Sequence, residues 1–375
     1  MRPLKMVDLE LERRFLGPRL DAAISEVLAH TQFIRGPEVH KFAQELGNYL
    51  GGTKVIPCAN GTDALQLALM ALDLKPGDGV IVPAFTYVAT AEVAALLHLK
   101  VRWVDVSLDH FNLLPEELEK AWSPEIKAII PVHLFGQAAP MQEILEFARI
   151  KGVSVIEDTA QALGADYIFP SGERRKLGTL GEIGCTSFFP SKNLSCYGDG
   201  GAVFTASEAQ AARIARIANH GQDTLYEFAE VGVNSRLDSL QAAILRLKLP
   251  YLDEFNARRR AAAELYDGYF HDIPALQIPY RAPWSTHIFH QYTLRVLDGR
   301  RDALKAYLAE RGIPAMVYYP KPLHLQPAYY NSAYPEGSFP NAERLAKEVI
   351  SLPIHPFLSE DQIYYIAEGV REFFK

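Results

Sequence analysis

The sequence contains few cysteines and no long apolar run. Its three cysteines, Cys58, Cys185 and Cys196, have no metal-ligand spacing and cannot all pair. This favours reduced thiols in a cytoplasm over a disulfide framework, and no metal site is expected. The apolar stretch at residues 88–99 is interrupted by polar residues and is too short to span a bilayer, so we expect no membrane partner.

Positive charge is also scarce, since 38 Lys and Arg residues face 45 Asp and Glu residues, for a net charge of −7. Without a basic run that could follow a phosphate backbone, nucleic acid is not expected as a partner. Residues 1–15 carry charges throughout, so we expect no signal peptide. The 375 residues, 49% of them hydrophobic, have a globular composition with room for a large and a smaller domain.

Strand and helix patterns alternate between residues 55 and 158. The connections are short and the strands are continuously apolar, which predicts an α/β fold with a mainly parallel sheet covered by helices. Ligands bind at the carboxyl ends of the strands in such sheets, so polar residues just past those ends should converge on one crevice. These residues are Asn60, Thr86, His133 and Asp158.

Two helical patterns precede the sheet, joined by an irregular loop at residues 31–37. Phe33 in this loop either lines a site or belongs to a plain helix–helix connection. A change of composition near residue 250 predicts a large domain at 1–250, including the N-terminal helical segment, and a small C-terminal α+β domain at 251–375.

The small domain contains one stretch that could contribute to a site, the loop that begins at Tyr318 and Tyr319. Its charged residues 258–260, three consecutive arginines, are expected on the solvated face of a helix.

One lysine lies between two short predicted strands beside three glycines. Lys192 follows a β-branched and aromatic run at residues 186–189 and precedes an apolar strand at 202–205. A partly buried lysine can be the neutral nucleophile that forms a Schiff base with an aldehyde. The alternative is a glycine-rich hairpin that carries an incidental lysine.

Three other polar groups are possible ligand contacts. Gly61 and Thr62 open a helix, where free backbone N–H groups and the helix dipole make an anion site or merely an N-terminal cap. Asp158 ends a buried strand, where a carboxylate needs a cation, a strong donor or an internal ion pair. Asn234 and Arg236 also precede a helix, as ligand contacts or as a cap and a surface arginine.

A single ligand would use most of these groups together. Gly61, Thr62 and Ser187 can hold a phosphate, and Tyr87 can lie flat on an aromatic ring.

The remaining groups fit the ring of the same ligand. Asp158 can keep a ring nitrogen protonated, Gln161 can donate to a phenolic oxygen, and Lys192 can form an imine. The ligand with all these features is pyridoxal 5′-phosphate.

Six motifs then occur in order along nearly the whole chain: NGTDAL (60–65), PAFTYVAT (83–90), EDTAQALGA (157–165), SFFPSKNLSCYGDGGA (187–202), GVNSRLDSLQAA (232–243) and SLPIHP (351–356). Together they resemble the DegT/DnrJ/EryC1/StrS family of pyridoxal-phosphate-dependent nucleotide-sugar aminotransferases. The resemblance implies the type I, aspartate-aminotransferase-like fold.

The resemblance also implies residue roles. Lys192 would be the Schiff-base lysine and the acid/base, and Asp158 would pair with the pyridine nitrogen. Asn234 would reach the phosphate bound in the neighbouring subunit of a homodimer with shared sites. Arg236 would contact the nucleotide diphosphate.

The stretches CTSFFPSKNL, NHGQ and YYPKPLHLQ are most similar to members that act at carbon 3 of the sugar. The implied acceptor is UDP-2-acetamido-3-oxo-glucuronate, the implied donor is an amino acid, usually glutamate, and the product serves lipopolysaccharide or another bacterial surface polysaccharide. Acceptors linked to dTDP, 4-keto sugars and a pyridoxal-phosphate-binding regulator are the alternatives. Tyr318 and Phe228 stand where many members have histidine, which leaves the sugar's substituents open.

Overall fold

The computed structural model describes residues 3–375. Its helices are α1 (Leu9–Leu16), α2 (Pro18–His30), α3 (Pro37–Tyr49), α4 (Gly61–Met70), α5 (Ala89–Leu96), α6 (Glu116–Ala121), α7 (Met141–Lys151), α8 (Glu208–Ile217), α9 (Ser239–Lys248), α10 (Leu252–Phe270), α11 (Arg301–Glu310), α12 (Pro340–Glu348) and α13 (Glu360–Phe374). Its strands are β1 (Lys54–Cys58), β2 (Gly79–Pro83), β3 (Lys100–Val104), β4 (Ile126–Ile129), β5 (Ser154–Asp158), β6 (Asp166–Ile168), β7 (Arg174–Lys176), β8 (Ile183–Ser187), β9 (Gly201–Thr205), β10 (Gln222–Thr224), β11 (Glu227–Phe228), β12 (Leu276–Gln277), β13 (Tyr292–Val296) and β14 (Val349–Leu352).

A seven-stranded sheet forms the centre of the fold, in the order β1-β9-β8-β5-β4-β2-β3. All neighbouring pairs from β8 to β3 are parallel, and β9 is antiparallel to both β1 and β8. The predicted mainly parallel sheet is therefore confirmed. Because β8 and β9 are adjacent and antiparallel, the segment that carries Lys192 is the connection between the two strands.

Helices cover both faces of this sheet, as the apolar strands require. Successive residues of β2 point to opposite faces. Val80 and Val82 pack in a core that includes Leu67 of α4, whereas Ile81 packs in a second core with Ile144 of α7. Both faces of β2 are therefore covered, which explains why this strand contains no polar residue.

A second sheet, β12-β13-β14, is antiparallel and packs with α10, α11 and α13 around a separate core. Residues of α12, such as Leu345, instead pack in the core of the large sheet. A single turn, Leu249–Tyr251, joins α9 to α10. The domain boundary near residue 250 stays a prediction.

Two sequence-based expectations for the C-terminal part are wrong. The helix expected over residues 342–350 ends at Glu348, and Val349–Leu352 form β14, because this buried apolar run pairs with β13. Arg259 is 2% exposed, since its face of α10 is covered and its guanidinium donates to the carbonyl of Ile354 (2.8 Å). Its neighbour Arg258 is exposed as expected.

Strands β10 and β11 form a short hairpin whose apolar side chains face outward. We call residues 222–231 the apolar hairpin. Leu225, Tyr226, Phe228 and Val231 are each at least 60% exposed. Grouped exposure of large apolar side chains is typical of an interaction surface. Within residues 3–375, no helix combines the length and apolar character needed to cross a membrane.

Candidate active site

A cavity of about 540 Å³ opens at the carboxyl ends of the parallel strands. Its lining comes from the residues that follow β1, β2, β4, β5 and β8, with additions from the segments around residues 290 and 318. Of the residues singled out from the sequence, those in the lining are Asn60, Gly61, Thr62, Thr86, Tyr87, Asp158, Gln161, Ser187, Lys192, Tyr318 and Tyr319. The chain therefore brings these distant segments together at one place.

Lys192 lies in the connection between β8 and β9, where its backbone N–H donates to the carbonyl of Phe189 (2.8 Å). The side chain lines the cavity. Burial lowers the pKa of Lys192 to about 8, and the negative charge of Asp158 acts in the opposite direction. A substantial fraction of this amine is therefore neutral near physiological pH and can act as a nucleophile.

Asp158 ends β5 and is 6% exposed. One carboxylate oxygen accepts from the N–H of Ala160 (3.0 Å), and the other accepts from the hydroxyl of Thr90 (3.3 Å). Burial raises the pKa of Asp158, although these donors and the positive charge of Lys192 oppose the effect. A cationic N–H in the cavity would be a favourable further partner for this carboxylate.

The start of α4 approaches the end of β8 closely. The side chain of Asn60 caps the helix by accepting from the N–H of Asp63 (2.8 Å), and the N–H groups in the first turn have no acceptor within the helix. A Cβ atom on Gly61 would lie 2.6 Å from the Cβ of Ser187, so only glycine fits here. Backbone N–H groups and the Ser187 hydroxyl thus surround a point suited to an anion.

Gln161 and Tyr319 are hydrogen-bonded across the cavity wall. The amide oxygen of Gln161 accepts from the N–H of Phe135 (2.8 Å), and its amide nitrogen donates to the Tyr319 hydroxyl (3.1 Å). Burial raises the pKa of Tyr319, so its hydroxyl keeps a hydrogen to donate. The ring of Tyr87 is 56% exposed and lies 6.2 Å from the Tyr319 ring, at an angle of 44°.

Three residues predicted to bind cofactor or substrate lie outside the cavity: Phe33, Asn234 and Arg236. Phe33 and Asn234 are exposed, and Arg236 donates to the side-chain oxygen of Asn219 (3.1 Å). The loop of Phe33 is joined to the start of α9, because the N–H of Ser239 donates to the Phe33 carbonyl (2.9 Å). Two of the predicted segments therefore meet at a surface beside α9.

The expectation that His133 joins the crevice is wrong. His133 and Glu157 are fully buried, and the imidazole Nε2 lies 3.0 Å from a Glu157 carboxylate oxygen. The N–H of Ala139 donates to His133 Nδ1 (3.0 Å), so Nε2 carries the proton and donates to Glu157. Val132 lines the cavity, and because successive side chains of an extended segment point in opposite directions, His133 points away from it.

His290, Gln291 and Asp199 also line the cavity, although the sequence did not indicate them as site residues. His290 and Gln291 directly precede β13, which pairs with β14 and not with the large sheet. No strand-end rule for the parallel sheet could have found them. The available signal was a polar pair, His-Gln, directly before the β-branched and aromatic residues of 292–296.

The sequence pattern of the DegT/DnrJ/EryC1/StrS aminotransferase family matches residues 16–371. The chain belongs to this family. It is an aminotransferase that depends on pyridoxal 5′-phosphate, and its fold is the type I fold that the sequence predicted.

Several known proteins are similar to this aminotransferase over nearly their full lengths. The UDP-2-acetamido-2-deoxy-3-oxo-D-glucuronate aminotransferase of Pseudomonas aeruginosa is 44% identical, over 98% of this chain and 99% of the relative. A pleiotropic regulatory protein of Geobacillus stearothermophilus is 41% identical (99% and 98%), and the dTDP-3-amino-3,4,6-trideoxy-alpha-D-glucose transaminase of Streptomyces venezuelae is 40% identical (98% and 95%). The crystal structure of S. venezuelae DesV in complex with a ketimine intermediate has a TM-score of 0.95 at 39% identity (100% and 99%).

The cavity of the aminotransferase fits the cofactor. Gly61 leaves no side chain at the anion site, and Asp158 presents a buried carboxylate without a cationic hydrogen-bond donor among residues 3–375. The Thr86 hydroxyl is buried in the cavity wall and has no hydrogen-bond partner among the described residues. A polar ligand in the cavity would supply partners for these groups.

Proposed function

We propose that this aminotransferase moves an amino group from an amino acid, glutamate first among the candidates, to the 3-keto carbon of a nucleotide-linked sugar. The acceptor proposed is UDP-2-acetamido-2-deoxy-3-oxo-glucuronate, in the synthesis of bacterial surface polysaccharide such as lipopolysaccharide. The observation that carries the aminotransfer chemistry is the presence of Lys192 and Asp158 in one cavity. The sugar assignment is supported by the 44% identity to the P. aeruginosa enzyme.

Each lining residue has a proposed role. Gly61, Thr62 and Ser187 bind the phosphate, where the approach of α4 to β8 leaves room for an anion but not for another side chain. Tyr87 covers the cofactor ring, and Asp158 pairs with the ring nitrogen.

The same proposal assigns the proton chemistry to Lys192. When bound, pyridoxal phosphate supplies an electron sink for the carbon next to the transferred nitrogen. The free amine of Lys192 takes a proton at Nζ and returns it at the neighbouring carbon, which its lowered pKa of about 8 permits. Gln161 holds the phenolic oxygen, with its amide oriented by Phe135.

Substrate contacts are proposed for Tyr318 and Tyr319 in the cavity wall and for Phe33 and Arg236 at the surface. The charged groups in the lining include Asp158, Asp199 and Lys192, so this wall offers little positive charge to a nucleotide diphosphate. We therefore propose a homodimer in which Asn234 and Arg236 complete the site of the partner subunit. The exposed side chains of the apolar hairpin support such an interface. The dimer is proposed to act in the cytoplasm.

A half-reaction screen tests the sugar assignment. The protein, loaded with pyridoxamine phosphate, is mixed with UDP- and dTDP-linked 3-keto sugars and with 4-keto sugars, and the return of pyridoxal-phosphate absorbance is followed. We expect the fastest return with the UDP-linked 3-keto glucuronate. Return only with 4-keto sugars would overturn the carbon-3 assignment, and faster return with dTDP-linked 3-keto sugars would favour the second candidate, which the S. venezuelae relative supports.

A non-catalytic regulator that binds the cofactor is the alternative from another class, and one relative carries a regulatory name. The enzyme hypothesis and the regulator hypothesis make different predictions for variants of Lys192. The enzyme reading predicts that amino transfer is abolished in Lys192→Ala and retained in Lys176→Ala, a half-buried lysine paired with Asp166 (2.9 Å) outside the cavity. A wild-type protein that binds the cofactor but accepts no amino group from any amino acid would support the regulator.

A further inference from the structure

A buried histidine lies beside Lys192 without a role in the chemistry described so far. His290 is 4% exposed and lines the cavity. Its Nδ1 is 3.1 Å from the side-chain oxygen of Asn193, the residue that follows Lys192. The amide nitrogen of Asn193 in turn donates to the side-chain oxygen of Asn256 in α10. The histidine and the lysine are thus connected through the backbone of one residue.

The neighbours of Asn193 determine which nitrogen of His290 carries the proton. The Asn193 amide nitrogen lies 2.6 Å from the side-chain oxygen of Asn256 and 3.5 Å from the carbonyl of Ile288. A carbonyl only accepts, so the amide nitrogen belongs on that side and the amide oxygen faces His290. An amide oxygen also only accepts. The proton is therefore on Nδ1, and Nε2 is a bare acceptor.

Nε2 is free to act in the cavity. It has no hydrogen-bond partner within residues 3–375, and Nδ1 occupies the side of the ring that faces Asn193. Burial lowers the pKa of His290 well below its usual value, and the positive charges of Lys192 and Arg259 lower it further. The ring consequently stays neutral over the working pH range. A neutral acceptor beside an amine can hold that amine without adding a charge.

We propose that His290 is a positioning residue whose Nε2 accepts a hydrogen bond from Nζ of Lys192 when the amine, free of the cofactor, turns toward His290 within the cavity that both residues line. The hydrogen bond restricts the flexible lysine side chain and keeps the amine near the atoms between which it carries the proton. Asn193 fixes the tautomer that makes this possible. The inference rests on the role proposed for Lys192 and extends it to how the released amine is held.

Three variants test the proposal. His290→Phe removes the acceptor at similar volume, His290→Gln places an amide oxygen near the former Nε2, and His287→Phe is the matched control. His287 is buried in the same segment but lies outside the cavity, stacked on Phe289 at 3.8 Å. We expect kcat to fall about 10- to 100-fold in His290→Phe with KM little changed, because a misplaced acid/base slows the proton transfer. His290→Gln should recover part of the loss, and His287→Phe should match the wild type.

A second readout needs neither cofactor nor turnover. Reductive methylation of Lys192 in the cofactor-free protein is followed by mass spectrometry across pH. The ammonium form of Lys192 loses an acceptor in His290→Phe, so its labelling midpoint should move to lower pH, with His290→Gln in between. An unchanged midpoint together with an unchanged kcat would overturn the proposal. Amino transfer that survives in Lys192→Ala would instead overturn the proposed role of the lysine.

The wild-type protein itself provides a third measurement, should the His290 variants fail to fold. Nitrogen chemical shifts of ¹⁵N-histidine in the cofactor-free protein report which imidazole nitrogen is protonated. We expect one buried histidine with a proton on Nδ1, and its signal should change in Asn193→Ala. A proton on Nε2 of His290 would contradict the proposal, because that nitrogen could then no longer accept.

Discussion

The amine of Lys192 is buried beside the carboxylate of Asp158, and this environment predicts the pH at which the amine loses its proton. Its pKa is lowered to about 8 by burial. Below this pH the ammonium form predominates and cannot attack an aldehyde, whereas above it the neutral amine can. The rate at which the cofactor-free protein forms a borohydride-reducible adduct with pyridoxal at Lys192 should therefore rise through about pH 8 and then level off.

A midpoint near the ordinary value for lysine, two units or more higher, would show that the amine is solvated and would contradict the cavity described here. Lys192→Ala gives the background from other lysines. The prediction needs no substrate, so it tests the site separately from the choice of sugar.

Gly61 provides the second prediction. In Gly61→Ala the new Cβ atom would lie 2.6 Å from the Cβ of Ser187 and force α4 away from β8. Strain of about 1–3 kcal/mol at this point should weaken binding of the cofactor phosphate about 10-fold or more, as measured by titration of the cofactor-free protein with pyridoxal phosphate. Gly268→Ala in α10 is the control, since a Cβ there would meet no atom within 4 Å. Equal affinity in both variants would argue against an anion site at Gly61.

The site residues that could be predicted from the sequence are those whose charge is unusual for their surroundings in the chain. A lysine among glycines and a carboxylate at the end of an apolar strand are rare enough to be noticed in the sequence itself. His133 was misplaced because the pattern gives the end of a strand but not the side to which the last residues turn. His290 was overlooked because its meaning depends on Asn193, which is distant in the sequence and adjacent in space.

At the scale of elements, β5 depends on one buried carboxylate. Glu157 is fully buried and accepts from His133 and from the N–H groups of Gly178 (2.9 Å), Leu180 (2.6 Å) and Gly181 (2.6 Å). Glu157→Gln replaces an accepting oxygen with an N–H₂ group, so at least one buried donor loses its partner. We expect a loss of about 2–4 kcal/mol in the free energy of unfolding, measured by denaturant titration.

The control for this prediction is Glu208→Gln at the start of α8, where the carboxylate is 82% exposed and pairs with Lys54. A solvated pair of this kind contributes little to the free energy of unfolding. If both variants unfolded at the same denaturant concentration, the buried network would not be the support of β5 that its contacts indicate.

The sequence predicted strands correctly where an apolar run showed that their side chains are buried. β2 is an unbroken apolar run, because helices cover it on both faces, whereas its neighbours β3 and β4 contain Arg102 and Lys127. β14 was taken for the end of a helix, since a short apolar run fits a buried helix or a buried strand equally well. Only the pairing of Val349–Leu352 with β13 distinguishes the two.

At the scale of the whole molecule, the proposed homodimer predicts complementation between inactive variants. Lys192→Ala lacks the amine, and Asn234→Ala lacks the proposed contact to the partner's phosphate. A mixed dimer would have both defects in one site and none in the other. Random mixing of subunits should therefore restore about a quarter of the wild-type activity, measured after co-expression or subunit exchange.

No recovery in a sample that sedimentation shows to contain mixed dimers would place Asn234 in the site of its own subunit or outside any site. The sequence suggested Asn234 and Arg236 only through the family resemblance. In one chain the Asn234 side chain is exposed and the Arg236 guanidinium donates to Asn219, and neither observation indicates a ligand. The remaining partners of these two residues would come from a second copy of the chain.

The close approach of Gly61 to Ser187 also constrains the order in which the protein folds. The two residues stand far apart in the chain, and the strand that holds their segments together, β9, is synthesised after both. Closing such a long loop is slow compared with forming the local βα units in between. An N-terminal fragment that stops before β9 should build much of the parallel sheet and yet fail to retain the cofactor. Cofactor capture would then be a late event in the maturation of a newly made chain, because the segments around residues 290 and 318 must also reach the cavity.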